Sequence, residues 1–315
     1  MSKSLQRLLL LAVLIVAVLA FEHFTGIQVL DRTSSSSSTT TQAERPPAAP
    51  SDVVPENGLR VVSWNIRDLG GSKNDDEIEF MAETLRDADI VAIQEVITSP
   101  KGAQAVARLD AALDRKGFQW DYRLSDPTTG DGTERYAFLW KPSRARLVGQ
   151  AWLEESLADI IDREPYCARF ESRATGQRFL IASLHAVPTS KDPETEIDDL
   201  DRLHRQYESD HVIMLGDFNL DEDHEAFDEL RALGYGQALD DQPTSLRRKR
   251  REGPMGHFSN EYDNIFYEQG PLRAARTGVV DFTGAFETLK AARYISDHVP
   301  LYADVQWTTS PTATP

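Results

Sequence analysis

The stretch Ile213-Met214-Leu215-Gly216-Asp217-Phe218-Asn219 decides how the sequence is interpreted, because an apolar run ends abruptly in an acid and an amide. Such a run is typical of a buried β-strand, and it places Asp217 and Asn219 at the tip of that strand. A glycine turn followed by a capped helix explains the same residues equally well. The stretch therefore needs partners elsewhere in the chain before it indicates a functional site.

Short apolar runs that end in a polar side chain occur at three further places. These are Leu59–Trp64 before Asn65, Asp89–Gln94 before Glu95, and Phe179–Leu184 before His185, while Ser296-Asp297-His298 precedes the run Val299–Val305 in the reverse order. Strands that end on one side of a sheet gather their last side chains at one edge, where α/β proteins bind ligands. We therefore predict one site, built at the edge of a single sheet.

Charge and cysteine content exclude some classes of protein. The formal charge of −17 opposes a general coating of nucleic acid, because most of the surface repels phosphate. A phosphodiester bound locally through cations remains compatible with this charge. Cys167 is the only cysteine, so the chain forms no intrachain disulfide, and its position in an apolar strand indicates a buried side chain.

The first residues form a targeting segment. Lys3 and Arg7 precede the apolar run Leu8–Phe21, which is short for a membrane span and suits a signal-peptide core. Residues 1–30 fit both a cleaved signal peptide and an uncleaved signal anchor. Both interpretations predict that the domain is exported. It is then extracellular or periplasmic, or it is anchored to the cell membrane and lies outside.

The remaining chain divides by composition. Residues 31–57 are a Ser/Thr/Pro-rich linker, residues 58–307 are one globular domain, and residues 308–315 are predicted to be a disordered tail. We expect a monomer.

Apolar periodicity predicts both helices and strands in the domain. Helical spacing covers Asp75–Arg86, Gln104–Leu113, Glu194–Tyr207 and Glu225–Leu233, and strand-like runs cover Tyr136–Trp140, Tyr166–Ser172, Phe179–Leu184 and Tyr262–Tyr267. Consecutive strands require antiparallel pairing, so a purely parallel sheet does not fit. The pattern predicts an α/β (α+β) domain with two mixed β-sheets flanked by helices.

Seven short motifs, taken in order, resemble those of the endonuclease/exonuclease/phosphatase superfamily. They are Ser63–Arg67, Ile93–Val96, Glu134–Trp140, Ser183–Ala186, Gly216–Asn219, Tyr262–Ile265 and Ser296–His298, and the Glu-Arg-Tyr block is most similar to deoxyribonuclease I-like nucleases. The resemblance covers Leu59–Val305. It implies a four-layer α/β sandwich, with the two sheets packed face to face, and divalent-metal-dependent hydrolysis of phosphate esters.

The requirements of phosphodiester hydrolysis indicate which residues are candidate metal ligands. The reaction needs an activated water, a proton donor for the leaving oxygen and cations that offset the phosphoryl charge. Hard oxygen ligands suit Mg²⁺, with Mn²⁺ or Ca²⁺ as alternatives. Glu95 and Asn65 supply one such site, and Asp297 either completes it or holds a second ion.

By resemblance, two histidines have carboxylate partners, Glu134 for His185 and Asp263 for His298. A carboxylate holds a histidine in one tautomer and stabilises its charged form. We predict that one histidine deprotonates the attacking water while the other protonates the leaving group, in either assignment. Asp217 is expected to orient the water or a histidine.

Three further elements are predicted to bind the substrate. Asn219 is expected to donate to a phosphate oxygen, and the Arg67 guanidinium to clamp a phosphate. The run Arg247-Arg248-Lys249-Arg250-Arg251 is predicted to neutralise several phosphates, although a solvated or protease-sensitive loop explains it as well.

Two loops depart from the resemblance. Deoxyribonuclease I reaches into the minor groove with side chains that are missing here from Ile97–Pro100 and Thr128–Thr133. The leading hypothesis is nonetheless an exported or membrane-tethered endonuclease with nucleic acid as its substrate, DNA being favoured and RNA also accepted. The alternatives are a phosphatase or sphingomyelinase-like phosphoesterase of phospholipids or inositol phosphates, and a non-catalytic binding domain of the same fold.

Overall fold

The computed structural model describes residues 54–208 and 210–308, which fall within one compact unit, Arg45–Pro315. The predicted targeting segment, most of the linker and nearly all of the tail lie outside the described residues. The predicted domain boundaries therefore stay predictions. Within the described part of the chain, no helix combines the length and the apolar character needed to cross a membrane.

Thirteen strands and six helices make up the described structure. The strands are β1 (Gly58–Leu69), β2 (Ile90–Val96), β3 (Asp121–Leu124), β4 (Arg135–Trp140), β5 (Ala145–Leu147), β6 (Trp152–Leu153), β7 (Tyr166–Ser172), β8 (Arg178–His185), β9 (His211–Asp217), β10 (Tyr235–Gln237), β11 (Asp263–Glu268), β12 (Leu272–Val279) and β13 (Leu301–Trp307). The helices are α1 (Asp75–Leu85), α2 (Pro100–Asp114), α3 (Glu194–Ile197), α4 (Asp201–Gln206), α5 (Asp228–Ala232) and α6 (Leu289–Ile295).

The strands form two mixed sheets. The first has the order β12-β13-β1-β2-β4-β3, and the second has the order β10-β11-β9-β8-β7-β5, with β6 paired to β7. Only one pair in each sheet is parallel among the described strands, β1 with β2 and β8 with β9, and each pair is joined through a helix-containing connection. This is the arrangement that parallel neighbours require.

Three buried apolar clusters stack the elements into four layers. The cluster between the sheets includes Val61, Phe138 and Phe170, and one outer cluster packs α1 and α2 against the other face of the first sheet. A third cluster, which contains Cys167 and Leu200, packs α3 to α5 against the second sheet. The predicted four-layer sandwich of two face-to-face mixed sheets is confirmed.

Two predicted helices differ from the observed elements. The predicted helix Glu194–Tyr207 is divided into α3 and α4, because i→i+3 bonds such as Leu200 N to Ile197 O tighten the chain between them. The turn directs Leu200 into the third cluster. The predicted helix Glu225–Leu233 begins as a 3₁₀ turn, Glu225–Phe227, before α5.

Gly216 occupies a position on β9 that accepts no side chain. Its φ is 141°, and a Cβ built there would lie 1.9 Å from the Leu184 carbonyl oxygen of the neighbouring strand. The glycine therefore permits the close approach of β8 and β9 immediately before Asp217.

The change Gly216→Ala is expected to lower the free energy of unfolding by about 2–5 kcal/mol, the sum of backbone strain and overpacking. Urea unfolding measures the loss. Gly284→Ala is the control, because a Cβ at that position meets open space. Equal free energies of unfolding for Gly216→Ala and Gly284→Ala would contradict the conclusion that position 216 accepts no side chain.

Candidate active site

Asp217 lies at the end of β9 between two chemically important neighbours. The parallel register with β8 places His185 directly beside Asp217, and the antiparallel register with β11 places Asp263 on its other side. Strand pairing alone therefore brings these three residues into one row.

Each of the two histidines is held by a carboxylate through Nδ1. His185 Nδ1 lies 2.8 Å from Glu134 Oε2, and His298 Nδ1 lies 2.6 Å from Asp263 Oδ2. Asp263 also accepts a 2.6 Å bond from Thr244 Oγ1, which fixes its carboxylate. The structure thus brings together both pairs that the resemblance implied, and it leaves Nε2 of each ring turned away from its carboxylate partner.

The two Nε2 atoms converge on the same acceptor. Both His185 Nε2 and His298 Nε2 lie 3.6 Å from Asp217 Oδ2. This separation is too long for a hydrogen bond, so each Nε2 keeps its capacity to exchange a proton with a bound water or ester oxygen. Asp217 Oδ1 is engaged separately, by the backbone N–H of Asn219 at 3.0 Å.

The carboxylates determine the charge of the buried rings. Burial lowers the pKa of His298, but the charges of Asp263 and Asp217 outweigh burial and raise the pKa to about 10. Burial also lowers the pKa of His185, and the Glu134 carboxylate reverses that effect and raises the pKa above its usual value. Burial raises the pKa of Asp217, while the nearby His298 charge opposes the rise. The carboxylates therefore stabilise the charged form of each imidazole.

Asn65 and Glu95 enter the site from the first sheet. Asn65 lies on β1 and Glu95 on the adjacent β2, whereas His185, Asp217 and Asp263 lie on the second sheet. Asn65 Nδ2 bridges the two sheets, because it donates to Glu95 Oε1 at 3.0 Å and to Asp217 Oδ2 at 2.9 Å. The prediction of a single sheet edge is wrong, since face-to-face packing is what joins the two sets.

The oxygens around Asn65 fit a divalent cation. Asn65 Oδ1 is buried and has no hydrogen-bond partner, and it belongs to the amide that donates to the Glu95 carboxylate. An orphaned buried oxygen beside a carboxylate matches the donor set that Mg²⁺, Mn²⁺ and Ca²⁺ take. Asp263 Oδ1 is also without a partner, and ligand atoms of Asp217, Asp263 and His298 lie within 4.8 Å of one another.

Backbone strain is concentrated at this edge. Glu95 has a φ of 60°, Asn219 a φ of 51° and Asp68 a φ of 51°, all in the left-handed region that non-glycine residues rarely occupy. The Glu95 turn is held by Glu134 Oε1, which accepts from Glu95 N, and by Glu95 Oε2, which accepts from Asp68 N. Strain maintained in this way is typical of functional sites.

Asp297, Arg67 and Asn219 line the same cavity as the histidines, and its volume is about 580 Å³. Asp297 Oδ2 is bonded by Arg293 at 2.8 Å and lies 3.8 Å from Arg67 Nη1. Asn219 Nδ2 donates one of its hydrogens to the Ala186 carbonyl at 2.9 Å, which leaves the second for a ligand.

The basic run Arg247–Arg251 lies in a loop between β10 and β11. Arg248 lines a second cavity together with Arg67 and Asp297, so the loop borders the site. Arg248, Lys249, Arg250 and Arg251 are exposed, and Arg247 is half-buried.

Arg163 is a site residue that the sequence did not single out. Its guanidinium donates to the carbonyl of His185 at 2.7 Å and to the carbonyl of Ala186, and it lies 3.7 Å from Glu134. It also lines the cavity that contains the two histidines. No local pattern indicated this role, because Arg163 lies in an irregular segment before β7 and is recognisable only once the strands are assembled.

Comparisons with known proteins agree with this geometry. The model of the Endonuclease/Exonuclease/phosphatase family matches residues 62–298. A deoxyribonuclease from Thioalkalivibrio sp. (strain K90mix) is 31% identical over 265 residues, which cover 78% of this chain and 70% of that protein. Deoxyribonuclease-1-like 1 from Sus scrofa is 27% identical over 266 residues, covering 78% of this chain and 81% of that protein.

A solved structure supports the fold. The crystal structure of an endonuclease/exonuclease/phosphatase family protein from Bacteroides thetaiotaomicron has a TM-score of 0.59 at 17% identity, covering 80% of this chain and 98% of that one. The chain belongs to the endonuclease/exonuclease/phosphatase family. It is a hydrolase of phosphoric ester bonds, and enzymes of this family depend on divalent metal ions.

Metal binding at Asn65 and Glu95 is expected to stabilise the folded protein. Ligand at about one hundred times its Kd adds about 2.7 kcal/mol, so Mg²⁺ or Mn²⁺ should raise the melting temperature of the wild type. Glu95→Gln should lose most of this increase in a thermal-unfolding titration.

Glu261→Gln is the matched control, because Glu261 belongs to a separate acidic group with Asp221 and Glu222. If the metal-induced increase in melting temperature disappears with Glu261→Gln and survives Glu95→Gln, the ion binds at the Glu261 group and the predicted site at Asn65 and Glu95 is wrong.

Proposed function

We propose that the domain is a divalent-metal-dependent endonuclease that hydrolyses nucleic acid, with DNA as the favoured substrate, by in-line attack of water. The observation that carries the proposal is the pair of histidines, each oriented by a carboxylate at Nδ1, whose Nε2 atoms lie 3.6 Å from Asp217 Oδ2. Two proton-transfer groups on opposite sides of one acidic residue suit a reaction that removes one proton and supplies another.

The proton movements follow from this arrangement. One histidine, in its neutral form, accepts a proton at Nε2 from the attacking water as the new P–O bond forms, and the other, in its charged form, donates its Nε2 proton to the leaving oxygen as the old P–O bond breaks. Either ring fits either role, because each has a carboxylate at Nδ1 and its Nε2 at 3.6 Å from Asp217 Oδ2. Glu134 and Asp263 keep Nδ1 protonated and stabilise each ring in its charged form.

Other side chains bind the phosphoryl group. A cation at Asn65 and Glu95 would offset phosphoryl charge as it develops. The free hydrogen of the Asn219 amide and the Arg67 guanidinium, which is 47% exposed in its side chain, are both available to phosphate oxygens. Arg163 acts as a positioning residue, because it holds the backbone of His185.

A nucleic-acid substrate is favoured by the local charge and by the relatives. Deoxyribonucleases are among the proteins to which the chain is similar, and the exposed run Arg247–Arg251 supplies cations in an otherwise acidic molecule. The loop Thr128–Thr133 is held to the rest of the protein by hydrogen bonds. This favours recognition of a nucleic acid through its phosphates. Thr129 N bonds Glu164 at 2.9 Å, and Gly132 N bonds Asp162 at 2.8 Å.

The proposal includes export. Lys3, Arg7 and the apolar run Leu8–Phe21 support a signal peptide or a membrane anchor, and either would carry the enzyme to substrates outside the cell.

In the presence of Mg²⁺ or Mn²⁺, the purified protein is expected to nick and linearise plasmid DNA, and EDTA should stop the reaction. His185→Ala and Asp217→Ala should each reduce the rate by about a thousandfold or more, because His185 transfers a proton and Asp217 orients the water or a histidine. His204→Ala is the control, since this histidine bonds Tyr235 away from the cavity.

Parallel assays with RNA, sphingomyelin and inositol phosphates identify the substrate class. Turnover of sphingomyelin or an inositol phosphate, without nucleic-acid cleavage, would replace the proposal by a phospholipase or phosphatase function. Full activity in both His185→Ala and Asp217→Ala would overturn the mechanism.

A further inference from the structure

Two cavities open beside the catalytic cavity, and they share residues with it and with each other. One is lined by Arg67, Lys73, Lys290, Arg293 and Tyr294 among others, and the second by Arg67, Arg248, Lys290, Arg293 and Asp297; each has a volume of about 380 Å³. Arg67 lines all three cavities. The two side cavities therefore form one depression, here called the flanking groove, that leads away from the site of cleavage.

The flanking groove is lined by five cations and by three carboxylates, Asp68, Glu77 and Asp297, so its net charge is positive. Of its cations, Arg293 is paired with Asp297 at 2.8 Å, and Arg67 lies 3.7 Å from Asp68 and 3.8 Å from Asp297. Lys290 and Arg248 are exposed, and neither has an ion pair within residues 54–208 and 210–308. Unpaired cations beside a phosphodiesterase site favour an anionic ligand that continues out of it.

Tyr294 adds an aromatic surface to the groove. It is 62% exposed, which is unusual for a large aromatic side chain in this molecule, and it lies on α6. The backbone below it is fixed, because Lys73 Nζ donates to the carbonyls of Tyr294 and Ile295 at 2.7 and 2.8 Å. An exposed ring on a fixed backbone is a platform on which an unpaired base stacks, whereas the bases of a duplex are covered by their neighbours.

We propose that the flanking groove binds the substrate strand next to the cleaved bond, with Lys290 and Arg248 on its phosphates and Tyr294 stacked on an unpaired base. This rests on the proposed nuclease function and deepens it. The preferred substrate is then a nucleic acid that is single-stranded beside the cut. An anionic lipid surface would satisfy the cations, but a groove that adjoins the catalytic cavity and includes an exposed aromatic ring fits a strand better.

Strand binding is measured first, without turnover. A fluorescent single strand of about 12 nucleotides, within the usual site size of such grooves, is titrated with the full chain in EDTA and followed by anisotropy. Lys290→Gln and Tyr294→Ala should each weaken binding by about five- to tenfold, and Tyr294→Phe should restore it. Lys290→Gln should also reduce the salt slope by about 0.7, the value for one phosphate contact on a single strand.

Matched controls lie away from the groove. Arg273→Gln removes an exposed cation from β12, and Phe118→Ala removes a ring that is 54% exposed. Both should bind the strand as the wild type does. Equal losses in the control and groove variants would mean that general surface charge and apolarity, not the groove, hold the strand, and the proposal would be wrong.

Turnover provides the second arm. We expect the wild type to cut a duplex that has a single-stranded flank faster than a blunt duplex, and Tyr294→Ala to lose this preference. The ratio of kcat/KM for the single strand to kcat/KM for bis(p-nitrophenyl) phosphate, which has no flank, should fall in both groove variants. An unchanged ratio would overturn the proposal.

The two proposals fail in different ways. If the wild type hydrolyses neither the nucleic-acid strand nor bis(p-nitrophenyl) phosphate, but the groove variants lose strand binding in EDTA, then the strand-binding proposal is supported and the nuclease proposal is wrong. If the groove variants lose binding to phosphatidylserine vesicles while their strand binding is unchanged, the groove binds lipid and the strand proposal is wrong. DNA and RNA strands are compared in the same titration to decide which sugar the groove accepts.

Discussion

The hydrogen bond from Asn65 Nδ2 to Asp217 Oδ2 connects the two sheets at the candidate active site, and it joins the residues that each sheet contributes there. Its 2.9 Å length is possible only at one separation of the sheets, and that separation is set by side chains such as Phe138 and Phe170 between them. Packing at protein density leaves little freedom for that distance to vary. The apolar core therefore determines where the metal-ligand candidates stand relative to the histidines.

Much of the candidate site could be predicted from sequence, because strand ends carry the relevant residues. The runs before Asn65, Glu95, His185 and Asp217 have strong local apolar patterns, and each is an observed strand. Their grouping was harder to predict. Which strands pair is a long-range property, so local patterns could not show that these four residues belong to two sheets rather than one.

Other features left no local signal at all. β12 contains Arg273, Arg276 and Gly278, a composition that does not indicate a strand, and it forms because it pairs with β13 at the edge of the first sheet. The left-handed backbone of Glu95 is held by two hydrogen bonds, from Glu95 N to Glu134 Oε1 and from Asp68 N to Glu95 Oε2. Both partners are distant from Glu95 in sequence, so no local pattern could predict this conformation. The pairing of carboxylates with histidines came from family resemblance, not from spacing.

Cys167 has a practical consequence. It is the only thiol in the chain, it is fully buried in the cluster between the second sheet and its helices, and burial raises its pKa well above the usual value. A thiol reagent can reach it only when that layer opens. Its alkylation rate under native conditions is therefore a built-in probe of how often the helical layer separates from the sheet that carries His185 and Asp217.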